Sequence, residues 1–400
     1  MKKRILICSH WMEIGGAEKA LLGLLEGIDP LKYTIDLFLC RHSGELMKYI
    51  PKYVNLLPED KAAASIAVPI RKVIRNKEYG IIVGRCVAKL VSLIYNKTHK
   101  ISNSIVGIEN SNRFTSIFVK KIGKGITYDV VISFLEPHYI AAKRANGEVK
   151  IAWMHTDYTA VGTDIKSNFR IWDCFDYIIA VSEKCAESFM LVHPALCHKL
   201  RTVENQLPLS LIIRQAQEFS VEAEMPSNGE IRLLSVGRFC AAKNFDNVPD
   251  LCRRIRGRGL NIKWYLIGYG GDEPLIRRRI AEAGMEDYVV ILGKKENPYP
   301  YIRSCDLYVQ PSRYEGNCVC VREAQLLGKP VVITRYPTSA SQLEDGVDGV
   351  IVPMENEGCA AGIVKLLRDP EKMAQLSACC KQRDYSRRKE MEKLYRLMED

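Results

Sequence analysis

The run Pro311-Ser-Arg-Tyr-Glu315-Gly-Asn-Cys-Val-Cys-Val-Arg-Glu323 sets two carboxylates eight residues apart. A helix entered through Glu315-Gly316 offers free backbone N–H groups and a positive dipole end, which together hold phosphate without a metal. With the helix continuing, Glu323 falls on nearly the same face as Glu315 and suits the paired hydroxyls of a ribose. A second run, Val236-Gly237-Arg238-Phe-Cys-Ala-Ala-Lys243-Asn244, joins a planar guanidinium fork to a point charge, a combination that neutralises pyrophosphate oxygens. Taken singly, a Glu-x7-Glu spacing is common by chance, and Arg or Lys after a strand is usually a surface charge. Both runs follow β-rich segments in the same half of the chain, and that coincidence carries the reading.

The elements that position these residues repeat one grammar: a β-rich run, a glycine-bearing turn, then a helix. It opens with Arg4–Ser9, a helix between Glu13 and Leu25 marked by the helical spacing of its leucines, and a second strand at Tyr33–Cys40. Strand-like runs follow at Asp129–Ser133, Lys150–His155 and Tyr177–Ser182. A polar connector, Gln206–Glu230, separates this part from a second series. That series begins at Ile231–Val236 and continues through Lys263–Gly268, Tyr288–Gly293, Leu307–Gln310, Pro330–Thr334 and Gly349–Val352. Alternation of strands and helices at this spacing predicts α/β architecture with two doubly wound parallel sheets. The expected division is 1–207, 208–380 and a terminal helical segment 381–400 that packs back on the first domain, with ligands in a cleft at the carboxyl ends of the strands. The last thirty residues read as helix, with Met391, Leu394, Tyr395 and Met398 forming an apolar stripe.

With 400 residues, 47% hydrophobic and 26% charged, the chain has the makeup of a multidomain globular protein, which excludes a disordered or disulfide-built class. The longest run free of Asp, Glu, Lys and Arg, Ser188–His198, has 11 residues, so no membrane-spanning segment is expected. The start reads as a strand rather than a leader, which places the protein in the cytoplasm. Fourteen cysteines form no Cys-x-x-Cys pair and read as small buried hydrophobes, with no metal site. The net charge of +11 is concentrated in residues 71–124, where twelve Lys or Arg face only Glu78 and Glu109. Apolar residues alternate with these cations, as around Arg85 and Lys89, one helical turn apart. A solvated helix face, an anionic membrane surface and nucleic acid are the competing partners. The apolar component favours the membrane, and no nucleic-acid module accompanies the charge.

Beyond these runs, the sequence resembles retaining glycosyltransferases of family 4, with the GT-B fold, of the type that builds bacterial cell-surface polysaccharides. The resemblance spans the chain. It rests on Gly15-Gly16-Ala-Glu18, Trp153-Met-His155-Thr-Asp157, Val181-Ser182-Glu183, Val203-Glu-Asn205, the Gly237-to-Lys243 turn, the Gly293-Lys294 run and the Glu315-x7-Glu323 pair. It implies metal-independent transfer of a sugar from a nucleotide-sugar, UDP- or GDP-linked, to a hydroxyl of a saccharide or polyprenyl-linked saccharide, with anomeric configuration kept. Arg238 and Lys243 would hold the diphosphate and Glu323 the ribose. Gly15, Gly16, Gly237, Lys294, Glu315, Gly316, Asn317 and Cys318 would complete the donor site. His155 would orient the transferring sugar, so that His155, Glu315, Arg238 and Lys243 form the catalytic set. Glu136 and Asp157 would meet the acceptor or cap a helix. The basic segment 71–124 would then seat the enzyme peripherally on the inner face of the cell membrane. Cys318, Cys320 and Arg322 depart from the usual pattern. An epimerase of the same fold and a catalytically silent binding protein are the rival readings, and neither cation nor carboxylate is missing as the latter would require.

Overall fold

In a computed structural model, residues 2–99, 104–155, 158, 162–315, 318–385 and 388–399 are described. The chain divides into two compact units, Met1–Pro208 with Ser386–Asp400, and Leu209–Tyr385.

The first unit is built on seven parallel strands: β1 (Lys3–Ser9), β2 (Tyr33–Leu39), β3 (Asn55–Leu56), β4 (Tyr128–Ser133), β5 (Gly147–Met154), β6 (Tyr177–Ala180) and β7 (Leu200–Thr202). Their order is β3-β2-β1-β4-β5-β6-β7. The central strands are buried on both faces, as parallel sheets covered by crossover helices must be; Ile5, Leu6, Ile7, Val130, Val131 and Ile132 are all inaccessible. The second unit repeats the plan with β8 (Ile231–Val236), β9 (Ile262–Ile267), β10 (Val289–Gly293), β11 (Leu307–Gln310), β12 (Val331–Thr334) and β13 (Val350–Val352), in the order β10-β9-β8-β11-β12-β13. Its core gathers Leu233, Trp264, Leu266, Leu307, Val309 and Val332. Two Rossmann-like parallel sheets are thus the observed architecture. In each sheet the strand order reverses beside its first strand, between β1 and β4 and between β8 and β11. Such switch points leave a crevice at the strands' carboxyl ends.

Two expectations need correction. The last thirty residues are not one helix: Pro370–Gln382 belongs to the second unit and Arg388–Glu399 to the first. The apolar stripe is nonetheless used. Met391, Leu394 and Met398 are buried, Tyr395 stacks on Tyr33, and its hydroxyl donates to the Gly27 carbonyl at 2.8 Å while accepting from the Asp29 amide at 2.9 Å. The second correction concerns the membrane. The 21-residue helix Tyr79–His99 is long and apolar enough to cross one by length and composition, although Arg85 and Lys89 interrupt its uncharged runs. Its small face, Ile81, Gly84, Ala88 and Ser92, is buried. Gly84 lies so close to the Phe114 carbonyl that a side chain there would collide, and Asn110 on the helix Val106–Thr115 donates to Ser92 Oγ at 3.0 Å. Its opposite face is exposed.

Candidate active site

The two cations and two carboxylates singled out in the second half all belong to the β8/β11 switch point. Val236 ends β8, so Gly237 and Arg238 leave the sheet at its carboxyl edge; Gln310 ends β11, and Pro311–Glu315 leaves beside them. The two loops are stitched together. Arg313 makes a two-pronged ion pair with Asp246, at 2.9 and 2.8 Å, and donates to the Ala241 carbonyl at 2.7 Å. Asn244 donates to the Pro311 carbonyl at 2.8 Å. It does so from a left-handed backbone (φ 59°), a conformation in which Asn is the favoured non-glycine residue. Lys243 closes the seam with a 2.6 Å ion pair to Glu315.

Glu315 is held from behind by a buried chain running along one face of β11. Tyr308, Gln310 and Ser312, two residues apart and fully buried, point the same way. The Gln310 amide donates to Ser312 Oγ at 3.0 Å, and that hydroxyl donates to Glu315 Oε1 at 2.6 Å. Burial would pull the Lys243 pKa down, but its neighbours Cys318 and Glu315 outweigh this and push it above the ordinary lysine value. The Cys318 thiol is itself pushed up to about 11 by burial, so it is neutral at pH 7 and the Glu315 carboxylate carries the effect. Lys243 stays charged throughout the physiological range. At Gly237 the lysine stem passes close over the backbone, with its carbons 3.3–3.5 Å from where a Cβ would sit.

Arg238 is exposed and makes no hydrogen bond or ion pair among the described residues. Among the described residues its guanidinium is thus unpaired, while the Lys243 charge is met by Glu315. Lys294 follows Gly293, whose φ of 73° ends β10, and lies over the exposed Tyr269 ring at 5.5 Å.

The helix expected from Asn317 begins at Val319 and runs to Leu326, so Glu315 lies outside it and the shared helical face does not exist. Glu323 is fully buried and accepts the Tyr299 hydroxyl at 2.7 Å. The Cys318 amide donates to Gln342 Oε1 at 2.8 Å, so it is engaged by the protein. Gly316 and Asn317 lie outside the described residues. Arg322, the departure from the usual pattern, is half-buried and donates to the Ser341 carbonyl at 3.3 Å.

In the first unit the β1/β4 switch point brings His10 and Glu136 together: His10 Nδ1 lies 3.1 Å from the Glu136 carbonyl. The Glu136 carboxylate is half exposed. It accepts from Asn112 at 3.0 Å and from the first amide of the helix His138–Arg144 at 3.3 Å, the capping arrangement. His155, just past β5, lies with Nε2 3.0 Å from the Phe134 carbonyl. A carbonyl only accepts, so Nε2 carries the proton and Nδ1 is left as an acceptor. Burial pushes the His155 pKa down to about 4, which keeps the ring neutral. Gly15 caps the helix Gly16–Gly27 in an extended conformation any residue adopts, and the Glu18 carboxylate folds over it. Gly16 is open to solvent on its side-chain face. Asp157 lies outside the described residues. No group of His, Cys, Asp or Glu among the described residues has the arrangement of a metal site.

Sequence spacing did not single out Ser312, Arg313, Thr338 or Gln342. Ser312 acts on near neighbours, Gln310 and Glu315, whereas the roles of Arg313, Thr338 and Gln342 come from residues distant in the chain.

The family described as "Glycosyl transferases group 1" matches residues 217–383. The amylovoran biosynthesis glycosyltransferase AmsK of Erwinia amylovora is 27% identical over 161 residues, 38% of this chain and 39% of that protein. An N-acetylgalactosaminyltransferase of Campylobacter jejuni, whose name gives a diphospho-undecaprenol-linked saccharide as acceptor, is 27% identical over 142 residues, 35% of this chain and 37% of that protein. These matches thus cover under two-fifths of the relatives' lengths. Among solved structures, Anabaena HepE with UDP and glucose superposes with a TM-score of 0.63 over 99% of both chains at 16% identity. Residues 217–383 are thus similar to the group 1 glycosyl transferases, and the chain's two Rossmann-like units have the fold of the GT-B glycosyltransferases.

Proposed function

We propose that this chain is a retaining glycosyltransferase that moves a sugar from a nucleotide diphosphate to a hydroxyl of a saccharide acceptor in surface-polysaccharide synthesis. The observation that carries the reading is the seam at the β8/β11 switch point, where Arg238, Lys243 and Glu315 share one loop pair. Arg238 grips the diphosphate as a fork and Lys243 as a point charge, and together with the mouth of the helix Val319–Leu326 they offset the charge that develops on the leaving nucleotide without a metal. The HepE complex with UDP and glucose makes a UDP-sugar the first donor to test. Glu315 addresses the donor sugar, and Glu323, once the Tyr299 hydroxyl yields it, the ribose. Neutral His155, with Nδ1 left as an acceptor, orients a sugar hydroxyl. The acceptor attacks from the face the nucleotide leaves, with a donor phosphate oxygen taking its proton.

A polyprenyl-linked acceptor would bring the enzyme to the inner face of the cell membrane, and the first unit offers a surface for it. Tyr79, Val83, Val87, Leu90 and Ile94 form an exposed apolar row on the helix Tyr79–His99, with Arg75, Lys89 and Lys97 exposed around it. Ile70 and Ile74 extend the row on the preceding helix, beside Arg71 and Lys72. Apolar side chains in the interface and cations over anionic headgroups are the two components of such binding.

The deciding experiment is thermal stabilisation and hydrolysis with UDP-, GDP- and ADP-sugars, with and without chelator. One donor should raise the melting temperature above the others by linkage, chelator or not. Stabilisation by none would remove the donor site, and strict dependence on manganese would remove the metal-free mechanism.

A further inference from the structure

Glu315 and Cys318, which precede the helix Val319–Leu326, are both gripped by one short helix, Ser339–Gln342, and the residue before it. Thr338 Oγ1 donates to the Glu315 carbonyl at 2.6 Å. Four residues on, Gln342 takes both backbone groups of Cys318: its Oε1 accepts the amide at 2.8 Å and its Nε2 donates to the carbonyl at 3.2 Å. Residues four apart lie on one face of a helical turn, so the two side chains act as a pair of prongs. Arg322 ties the prongs back, by its bond to the Ser341 carbonyl. Gln342 is 2% exposed, so its bonds to Cys318 are shielded from solvent.

We propose that Thr338 and Gln342 are positioning residues for the donor: they hold the backbone of Glu315 and of Cys318, and so set where Glu315 and the amides of Val319 and Cys320 meet sugar and phosphate. The Cys318 amide is then a structural group rather than a phosphate ligand. The first-turn amides that follow it have no intrahelical partner by helix geometry and are the ones available to the donor. A paired amide-to-backbone bond suits this task because it constrains position and orientation at once, whereas a single bond leaves a hinge. This inference rests on the donor-site reading above.

The test uses the full chain and UDP as the calorimetric probe, with a UDP-sugar for hydrolysis. Gln342→Leu and Thr338→Val keep size and remove the prongs; a misplaced turn should weaken UDP binding roughly 10- to 100-fold. Thr338→Ser keeps the hydroxyl and should retain wild-type affinity, and the KM for the donor should rise in the Val and Leu variants more than kcat falls. Gln342→Glu keeps the acceptor for the Cys318 amide but loses the donor to its carbonyl, so its affinity should lie between; it also serves if the Leu variant fails to fold. Unchanged UDP affinity in Thr338→Val and Gln342→Glu would overturn the proposal. Tighter binding in either Gln342 variant would overturn it too, by making Gln342 a competitor for the phosphate. Absence of UDP and UDP-sugar binding by the unaltered chain would instead refute the donor reading itself.

Discussion

Glu315→Gln separates the carboxylate's two tasks, since it keeps the shape of the side chain and an acceptor for Ser312 while removing the charge 2.6 Å from Lys243. In the unliganded protein the pair presents little net charge to an incoming diphosphate; in the variant Lys243 stands uncompensated beside Arg238. A unit charge about 6 Å from a phosphate oxygen, at an effective dielectric of about 20, is worth ~3 kcal/mol. Screening by salt reduces the usable part to about 1–2 kcal/mol, or roughly 5- to 30-fold in Kd. UDP should therefore bind more tightly to the variant in calorimetry at low ionic strength, and the gain should shrink as salt is added. Sugar transfer should be lost, because the carboxylate that addresses the sugar is gone. The empty protein should become less stable. The raised Lys243 pKa contributes stability that is present at neutral pH and normally fades only above the unfolded lysine value near 10.4, and removing Glu315 removes it at pH 7, about 1–2 kcal/mol for a pair this shielded. Unchanged or weaker UDP affinity, together with the lower melting temperature, would show that Lys243 is a purely structural cation and that the diphosphate lies elsewhere.

Arg238→Ala should do the reverse: with the guanidinium exposed and unpartnered among the described residues, the melting temperature of the empty protein should hold while UDP affinity falls roughly 10- to 100-fold, and a matching loss of stability would refute its free state. All seven histidines lie in the first unit, and burial lowers the pKa of His10, His138, His155 and His193. Unfolded histidine gains its proton near 6.5, whereas His155 resists until about 4, so stability falls as pH drops through that window, by at most about 1.4 kcal/mol per unit for each such group. Hydrogen exchange across this range should open peptides of 1–208 before those of 209–385, and the opposite order would contradict the argument. Leu90→Glu with Leu93→Glu, on positions 61% and 59% exposed, should leave folding intact and abolish flotation with phosphatidylglycerol vesicles, while salt alone should weaken it in the parent; flotation unchanged by either would dismiss the helix as a lipid-binding face.

Strand positions in both units were legible because buried parallel strands are written as uninterrupted apolar runs; Ile231–Val236 and Leu307–Gln310 emerge with the expected bounds. Arg238, Lys243 and Glu315 stand out in the sequence because they lie in the loops that leave such strands, and the structure joins the latter two in an ion pair. What local pattern misjudged was the helix after Glu315, which starts at Val319, while Glu315 and Cys318 are held by Thr338 and Gln342. The same cause hides Gln342 and Thr338: their importance lies in which backbone they touch, and no spacing encodes a contact across 24 residues. Likewise the seam between Arg313 and Asp246 spans 67 residues, and only the sheet's strand order brings its ends together.

The placement of the helix Arg388–Glu399 bears on how the molecule is made. The surface around Gly27 and Tyr33 emerges from the ribosome long before Tyr395 exists to cover it, with the whole second unit synthesised in between. The second unit is one unbroken stretch of chain, whereas the first stays partly undressed until residues 388–399 have followed it.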